Sequence, residues 1–176
     1  MIFTSDHGKM LGAHGFHEKN MFYEESVHIP LLMRLPGMIP PGRRIDAPVG
    51  QIDLYATILD YLEAGPLPSD GQSLRPLADD PTATRRYVIA EWHRSAVPGY
   101  IVYDGRWKLM FGRIAESPSL DALYDLKTDP HEMMNLIGGN PDRRKHKAEA
   151  DRLKAMLLEW MENVDDPNWK VSEFAR

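Results

Sequence analysis

Asp6 and His7 stand side by side after the apolar run Met1-Ile2-Phe3 and the polar pair Thr4-Ser5, and Gly8 follows at once. A carboxylate and an imidazole adjacent in sequence can both turn toward one cation where a strand gives way to a loop and the up-and-down alternation of side chains ends. Lys19 adds a cation able to meet an anionic substrate group, and His14 and His17 lie between, among further glycines. Spacing alone leaves Asp6-His7-Gly8 open between a metal pair and an ordinary turn or N-cap. His14 alone is a weaker candidate, and His17 reads as a hydrogen-bonded loop imidazole.

The elements that must position these residues follow from the pattern of apolar residues. Met1-Ile2-Phe3 reads as the end of a buried strand, and in an open α/β sheet ligands collect beyond the carboxyl ends of strands. A central strand usually has about 5–6 residues, so this one looks cut, and the expectation is that Met1 is an internal or gene-fragment start. Ile29 to Leu35 reads as a second buried strand, stopped by Pro36-Gly37. Ile52, Tyr55, Ala56, Leu59 and Leu62 have the spacing of a helix with one face turned inward; Asp53 opens it as a cap and Gly65-Pro66 ends it. Pro66 to Thr84 is a connecting stretch.

Tyr87 to Trp92 is a strand, and Tyr100 to Tyr103 and Trp107 to Phe111 form a hairpin about Asp104-Gly105. Leu123 to Leu126 adds a further strand, and Asp129-Pro130 is a turn expected to start a short helical segment. From Arg143 to Val164, residues Leu153, Met156, Leu157, Trp160, Met161 and Val164 recur at helical intervals, the pattern of a helix laid on a sheet. The expected fold class is α/β. Residues 1–85 would form part of a truncated, mostly parallel sheet domain, and residues 86–176 a small antiparallel sheet packed by the C-terminal helix. A truncated sheet leaves a face uncovered, so association or poor solubility is expected.

The 176 residues suffice for one ordinary core, and 43% hydrophobic content supports a globular chain. A net charge of -5 with scattered Lys and Arg gives no footprint for nucleic acid. No apolar run approaches the ~20 residues of a membrane helix, so no membrane partner is expected. Zero Cys excludes disulfides.

Read together, T-S-D-H-G, G-A-H-G-F-H-E-K-N-M-F-Y-E-E and I-P-L-L-M-R-L-P-G closely resemble the sulfatases of the alkaline phosphatase superfamily. The resemblance continues through D-L-Y-A-T-I-L-D-Y-L, D-G-Q-S-L-R-P-L, D-G-R-W-K-L and L-Y-D-L-K-T-D-P-H-E-M-M-N-L. These blocks run in family order over about three-quarters of the chain, from Thr4 to Leu136. The last two look like the family's C-terminal subdomain. An Asp with a His, where many sulfatases pair Asp with Asn, points toward the branch resembling choline sulfatases and phosphonate monoester hydrolases.

The resemblance implies a divided site. Asp6 and His7 would bind a divalent metal, calcium or manganese; Lys19 would meet the ester oxygens; His14 would be a weaker catalytic candidate behind them. The family's nucleophile is a formylglycine made from Cys or Ser in a Cys/Ser-x-Pro/Ala-x-Arg motif, and no Cys or family-like Ser here supplies it. The implied substrate is a small anionic ester of sulfate, phosphonate or phosphate. The chain is then the C-terminal portion of a sulfatase-like hydrolase, inactive alone, whose other half is supplied elsewhere. The alternative is a non-catalytic fragment acting as an interaction or structural module. Trp92 and His93 are expected either near the substrate mouth or as a core indole and a loop histidine. Glu24 and Glu25 read as packing and helix-terminal charge, and His28, where the family commonly has Arg, as structural.

Overall fold

The computed structural model describes residues 1–65, 68–92, 99–112 and 121–167. Its core is a four-stranded antiparallel sheet in sequence order: β3 (Val88–Trp92), β4 (Gly99–Tyr103), β5 (Trp107–Gly112) and β6 (Ala122–Asp125). Alternation along the strands gives this sheet two apolar faces. Tyr100, Val102, Leu109 and Leu123 project to one face and meet Leu153, Leu157 and Met161 of the C-terminal helix α4 (Arg143–Asn163). These helix residues recur every fourth position and therefore share one stripe. Ile101, Met110, Ala122 and Tyr124 project to the other face, and Phe22 packs there with Met21, Tyr23 and Val27. The sheet expected from the sequence is present, and a segment from the first part of the chain completes its core.

β4 and β5 turn through Gly105 and Arg106, one residue later than the expected Asp-Gly pair, because Asp104 N donates to the Trp107 carbonyl at 3.2 Å and Gly105 takes a φ of 95°. Asp104 stands at the strand end, where its Oδ1 accepts from the N–H groups of Arg106 and Trp107. Asp129-Pro130 opens turns rather than the expected helical segment, and Glu132 adopts a left-handed φ of 52° that interrupts any helix there.

Residues 1–85 differ more from expectation. β1 (Ile2–Thr4) and β2 (Leu31–Met33) pair antiparallel, with Thr4 opposite Leu31, so the expected parallel relation does not hold for this pair. The reason is the connection. Ser5 to Pro30 leaves and returns at the same end of the pair, and its only α-helix, α1 (Glu24–Val27), has four residues, too few for a crossover. Ile29 to Leu35 is not a buried strand either: Phe3 and Leu32 lie opposite each other, 56% and 60% exposed.

Helix α2 (Asp53–Tyr61) forms where expected, but its apolar stripe is only partly turned inward, since Ile52, Tyr55 and Leu62 are exposed while Ala56 and Leu59 are half-buried. Its buried side is polar. Asp53 accepts hydrogen bonds from Gly50 N and Gln72 N, at 2.8 and 2.9 Å, and pairs with Arg85. Thr57 accepts from Leu74 N at 2.9 Å. Asp53 is therefore a brace between loops and not the expected cap, since Ile52 holds the N-cap position and, among the described residues, no side chain caps the helix. It seats the short helix α3 (Arg75–Asp79) beside α2.

Candidate functional site

The candidate residues lie in the long excursion between β1 and β2. His7 N donates to Asp6 Oδ1 at 2.9 Å, folding the carboxylate back over the strand end, and Asp6 Oδ2 lies 3.2 Å from His7 Nε2. Lys19 Nζ reaches the same His7 Nε2 at 2.5 Å. Asp6, His7 and Lys19 are thus brought together, although Lys19 stands 12 positions from His7.

The Gly8 carbonyl lies 2.8 Å from His7 Nδ1 and can only accept, so Nδ1 carries a proton, and Nε2 faces Asp6 Oδ2 and Lys19 Nζ. The His7 N–H donated to Asp6, with the nearby cationic groups, holds the Asp6 carboxyl below the usual range and keeps it ionised, against a smaller desolvation effect. Two donors at right angles on one ion, each bonded at about 2.0–2.2 Å, lie about 3 Å apart. The observed 3.2 Å between Asp6 Oδ2 and His7 Nε2 is a separation one divalent ion can bridge. Lys19 Nζ stands 2.5 Å from the same Nε2, so Asp6 and His7 would serve an ion only once the ammonium has moved aside. Among the described residues no group of three or more His, Cys, Asp or Glu gathers to complete the donor set.

Two backbone contacts fix the loop that carries these groups. Gly8 N donates to the Ser26 carbonyl at 2.8 Å, and a Cβ on Gly8 would stand 2.0 Å from the Glu25 carbonyl oxygen. Only glycine permits this approach. Ser26 Oγ donates to the Lys19 carbonyl at 2.6 Å. Buried Ser26 thereby ties both arms of the site to α1.

His14 is not joined to Asp6 and His7. Its ring stacks on Tyr23 at 3.7 Å between centroids, its Nε2 is 3.9 Å from Glu25 Oε2, and its φ is 52°. His17 is exposed. Trp92 packs against the apolar cluster around Phe22, while His93 lies outside the described residues.

A buried charge cluster was not anticipated. Lys108 Nζ donates to Glu24 Oε1 at 2.8 Å and lies 2.8 Å from Glu132 Oε1, an ion pair off the hydrogen-bonding direction. Glu132 Oε2 accepts the Glu24 N–H at 2.7 Å, and His28 Nδ1 is 3.1 Å from Glu24 Oε2. Burial pushes the Glu132 carboxyl above its ordinary value, and Lys108 counters only part of that. The sequence held one signal: alternation along Trp107-Lys108-Leu109-Met110 places Lys108 on the same face as Met110, where a lone charge requires a partner.

A family model described as N-sulphoglucosamine sulphohydrolase, C-terminal, matches residues 12–163. The chain is 30% identical over 179 aligned positions to an N-acetylglucosamine-6-O-sulfatase of Bacteroides thetaiotaomicron, covering 94% of this chain and 31% of that protein. It also superposes on a protein solved in complex with its substrate D-glucosamine-2-N,6-O-disulfate, with TM-score 0.74, 27% identity, and 96% of this chain on 35% of that one. The phosphonate monoester hydrolase of Agrobacterium radiobacter is similar with TM-score 0.74 and 27% identity, over 92% of this chain and 34% of that one. The chain spans 27–34% of the length of the curated relatives it matches.

Proposed function

This chain belongs to the N-sulphoglucosamine sulphohydrolase C-terminal family, a C-terminal sulfatase-family region, and from that premise we propose that it supplies one side of the site of a metal-dependent hydrolase of sulfate esters. The observation that carries the reading is the approach of Asp6 Oδ2 and Lys19 Nζ to His7 Nε2, at 3.2 and 2.5 Å, at the end of β1. The relatives' names support a sulfated-sugar ester as substrate, and the likeness to a phosphonate monoester hydrolase keeps phosphonate and phosphate esters in the test set.

In this reading Asp6 and His7 are two ligands of a divalent ion, calcium or manganese. When bound, the ion would withdraw charge from the oxygens of the ester. The chain's own residues then divide the remaining work. Asp6 stays ionised, Gly8 holds the His7 tautomer, and the Lys19 ammonium rests against the non-bridging oxygens as charge develops there. His14, stacked on Tyr23 and apart from Asp6 and His7, is given no step in this reading. The formylglycine nucleophile comes from outside these residues, so the chain alone does not turn over substrate. Residues 1–85 are proposed as the C-terminal part of the larger sheet domain and residues 86–176 as its small subdomain. The exposed face at Phe3 and Leu32 supports an association surface on the isolated chain.

The test is Lys19→Ala in the whole enzyme that carries this chain, assayed against a sulfated sugar, a phosphonate monoester and a phosphodiester. Turnover falls by about 10²–10³, the usual loss when one preorganised donor is removed. Lys9→Ala stays near the unmodified rate, because Lys9 is exposed and only 3.9 Å from the equally exposed Glu18. Equal losses in the two variants would refute the role given to Lys19.

A further inference from the structure

We infer that Lys108 and Glu132 are positioning residues for the site, holding Lys19 and His7 in register through α1; this rests on the reading that Lys19 contacts the ester. Both act on the first residue of that helix. Lys108 Nζ grips the Glu24 side chain at 2.8 Å, and Glu132 Oε2 takes the Glu24 backbone N–H at 2.7 Å. A helix of four residues has too few internal hydrogen bonds to hold its own conformation. Its orientation is therefore set by what grips it from outside.

The same short turn carries the site at its other end. Ser26 Oγ donates to the Lys19 carbonyl, and the Ser26 carbonyl accepts from Gly8, the residue after His7. Gly8 lies so close to Glu25 that it has no room to compensate for a tilt. A shift at Glu24 is thus passed two residues along one helical turn to both arms of the site. Apolar residues of similar volume would fill this interior without the desolvation of three charges. What the charges add is direction, since two bonds from different strands and turns fix both the end and the rotation of α1.

The experiment is a double-mutant cycle in the whole enzyme, with Lys108→Met and Lys19→Ala singly and together. Turnover and KM are measured on a sulfated sugar, and thermal melting confirms that each variant is folded. Lys108→Met lowers kcat by about 10-fold to 10²-fold with KM little changed, the size of loss expected when a reacting group is misplaced by about 1 Å. In the Lys19→Ala background that loss shrinks, because displacing a missing ammonium has no consequence. Ser26→Ala, which cuts only the bond to the Lys19 carbonyl, shows the same dependence on Lys19 with a loss of about tenfold. If Lys108→Met does not fold, Glu24→Gln takes its place, since it keeps the backbone bond to Glu132 and weakens the grip of Lys108 together with the contact to the exposed His28. Full additivity with an impaired Lys19→Ala overturns this inference and leaves the role of Lys19 standing. An unimpaired Lys19→Ala overturns both.

Discussion

β2 and β4 are both short apolar strands, yet their burial differs: Gly99, Tyr100, Ile101 and Val102 are buried, while in β2 Leu32 is 60% exposed and Leu31 and Met33 are half-buried. The residue types do not account for this. β4 has strand neighbours on both edges, α4 on one face and the Phe22 segment on the other, whereas β2 has β1 alone among the described residues. Burial is thus a property of what the rest of the chain brings to a strand. The site sits at the boundary between these two regimes, on a loop whose outer strands are half covered and whose anchor, α1, is held by the well-packed sheet.

That contrast can be tested by substitution, and the largest effect belongs to the packed side. Leu157→Ala removes a side chain with no exposed surface between α4 and the sheet, and a loss of about 2–5 kcal/mol is expected, read from urea unfolding midpoints. Refilling of the site by Met156 and Trp160 without loss of stability would show that the core is less closely packed than described.

A smaller, pH-dependent effect separates the charges of the two regions. The two hydrogen bonds from Arg106, at 2.9 and 2.7 Å, are the first cause holding the buried Asp125 carboxyl below its ordinary range. The unfolded chain then binds the proton more readily. Stability from this pair is present above the unfolded carboxylate value and is lost as pH falls through the folded one. Asp125→Asn should flatten that acid limb in unfolding measurements across pH. Glu132 has the opposite sign: burial raises it, so its contribution is present below the unfolded value and is lost as pH rises through the folded one.

The smallest effect is expected on the open side. Leu32→Ser should alter the stability of the chain by no more than about 0.5 kcal/mol, as for other exposed positions. It should reduce association seen by sedimentation, since the apolar face shared with Phe3 is then interrupted. A large loss of stability on Leu32→Ser would mean that β2 is packed as tightly as β4.

The small sheet and α4 were legible because two strong local patterns run through them. β-rich runs on either side of Asp104-Gly105 mark Tyr100 to Tyr103 and Trp107 to Phe111, and four-residue spacing marks Leu153, Leu157 and Met161. Such patterns need no knowledge of distant partners. The identity of the family was equally legible, because ordered blocks of residues carry it.

The direction of the β1–β2 pair was not, because direction depends on where Ser5 to Pro30 returns, and no local pattern records a path. The outward face of α2 misled for a related reason: its apolar stripe is real, but the helix buries Asp53 and Thr57 against hydrogen-bonding loops instead. At the site, the sequence by itself determined which groups were available: a carboxylate, an imidazole and an ammonium near a strand end. Only the tertiary structure decided that Lys19 folds back onto His7, that His14 turns away to Tyr23, and that Glu24, Lys108 and Glu132, up to 108 positions apart, meet in one buried cluster. Adjacency in sequence fixes the short-range geometry through the backbone, but contacts at long separation arise only when packing has removed the water between them.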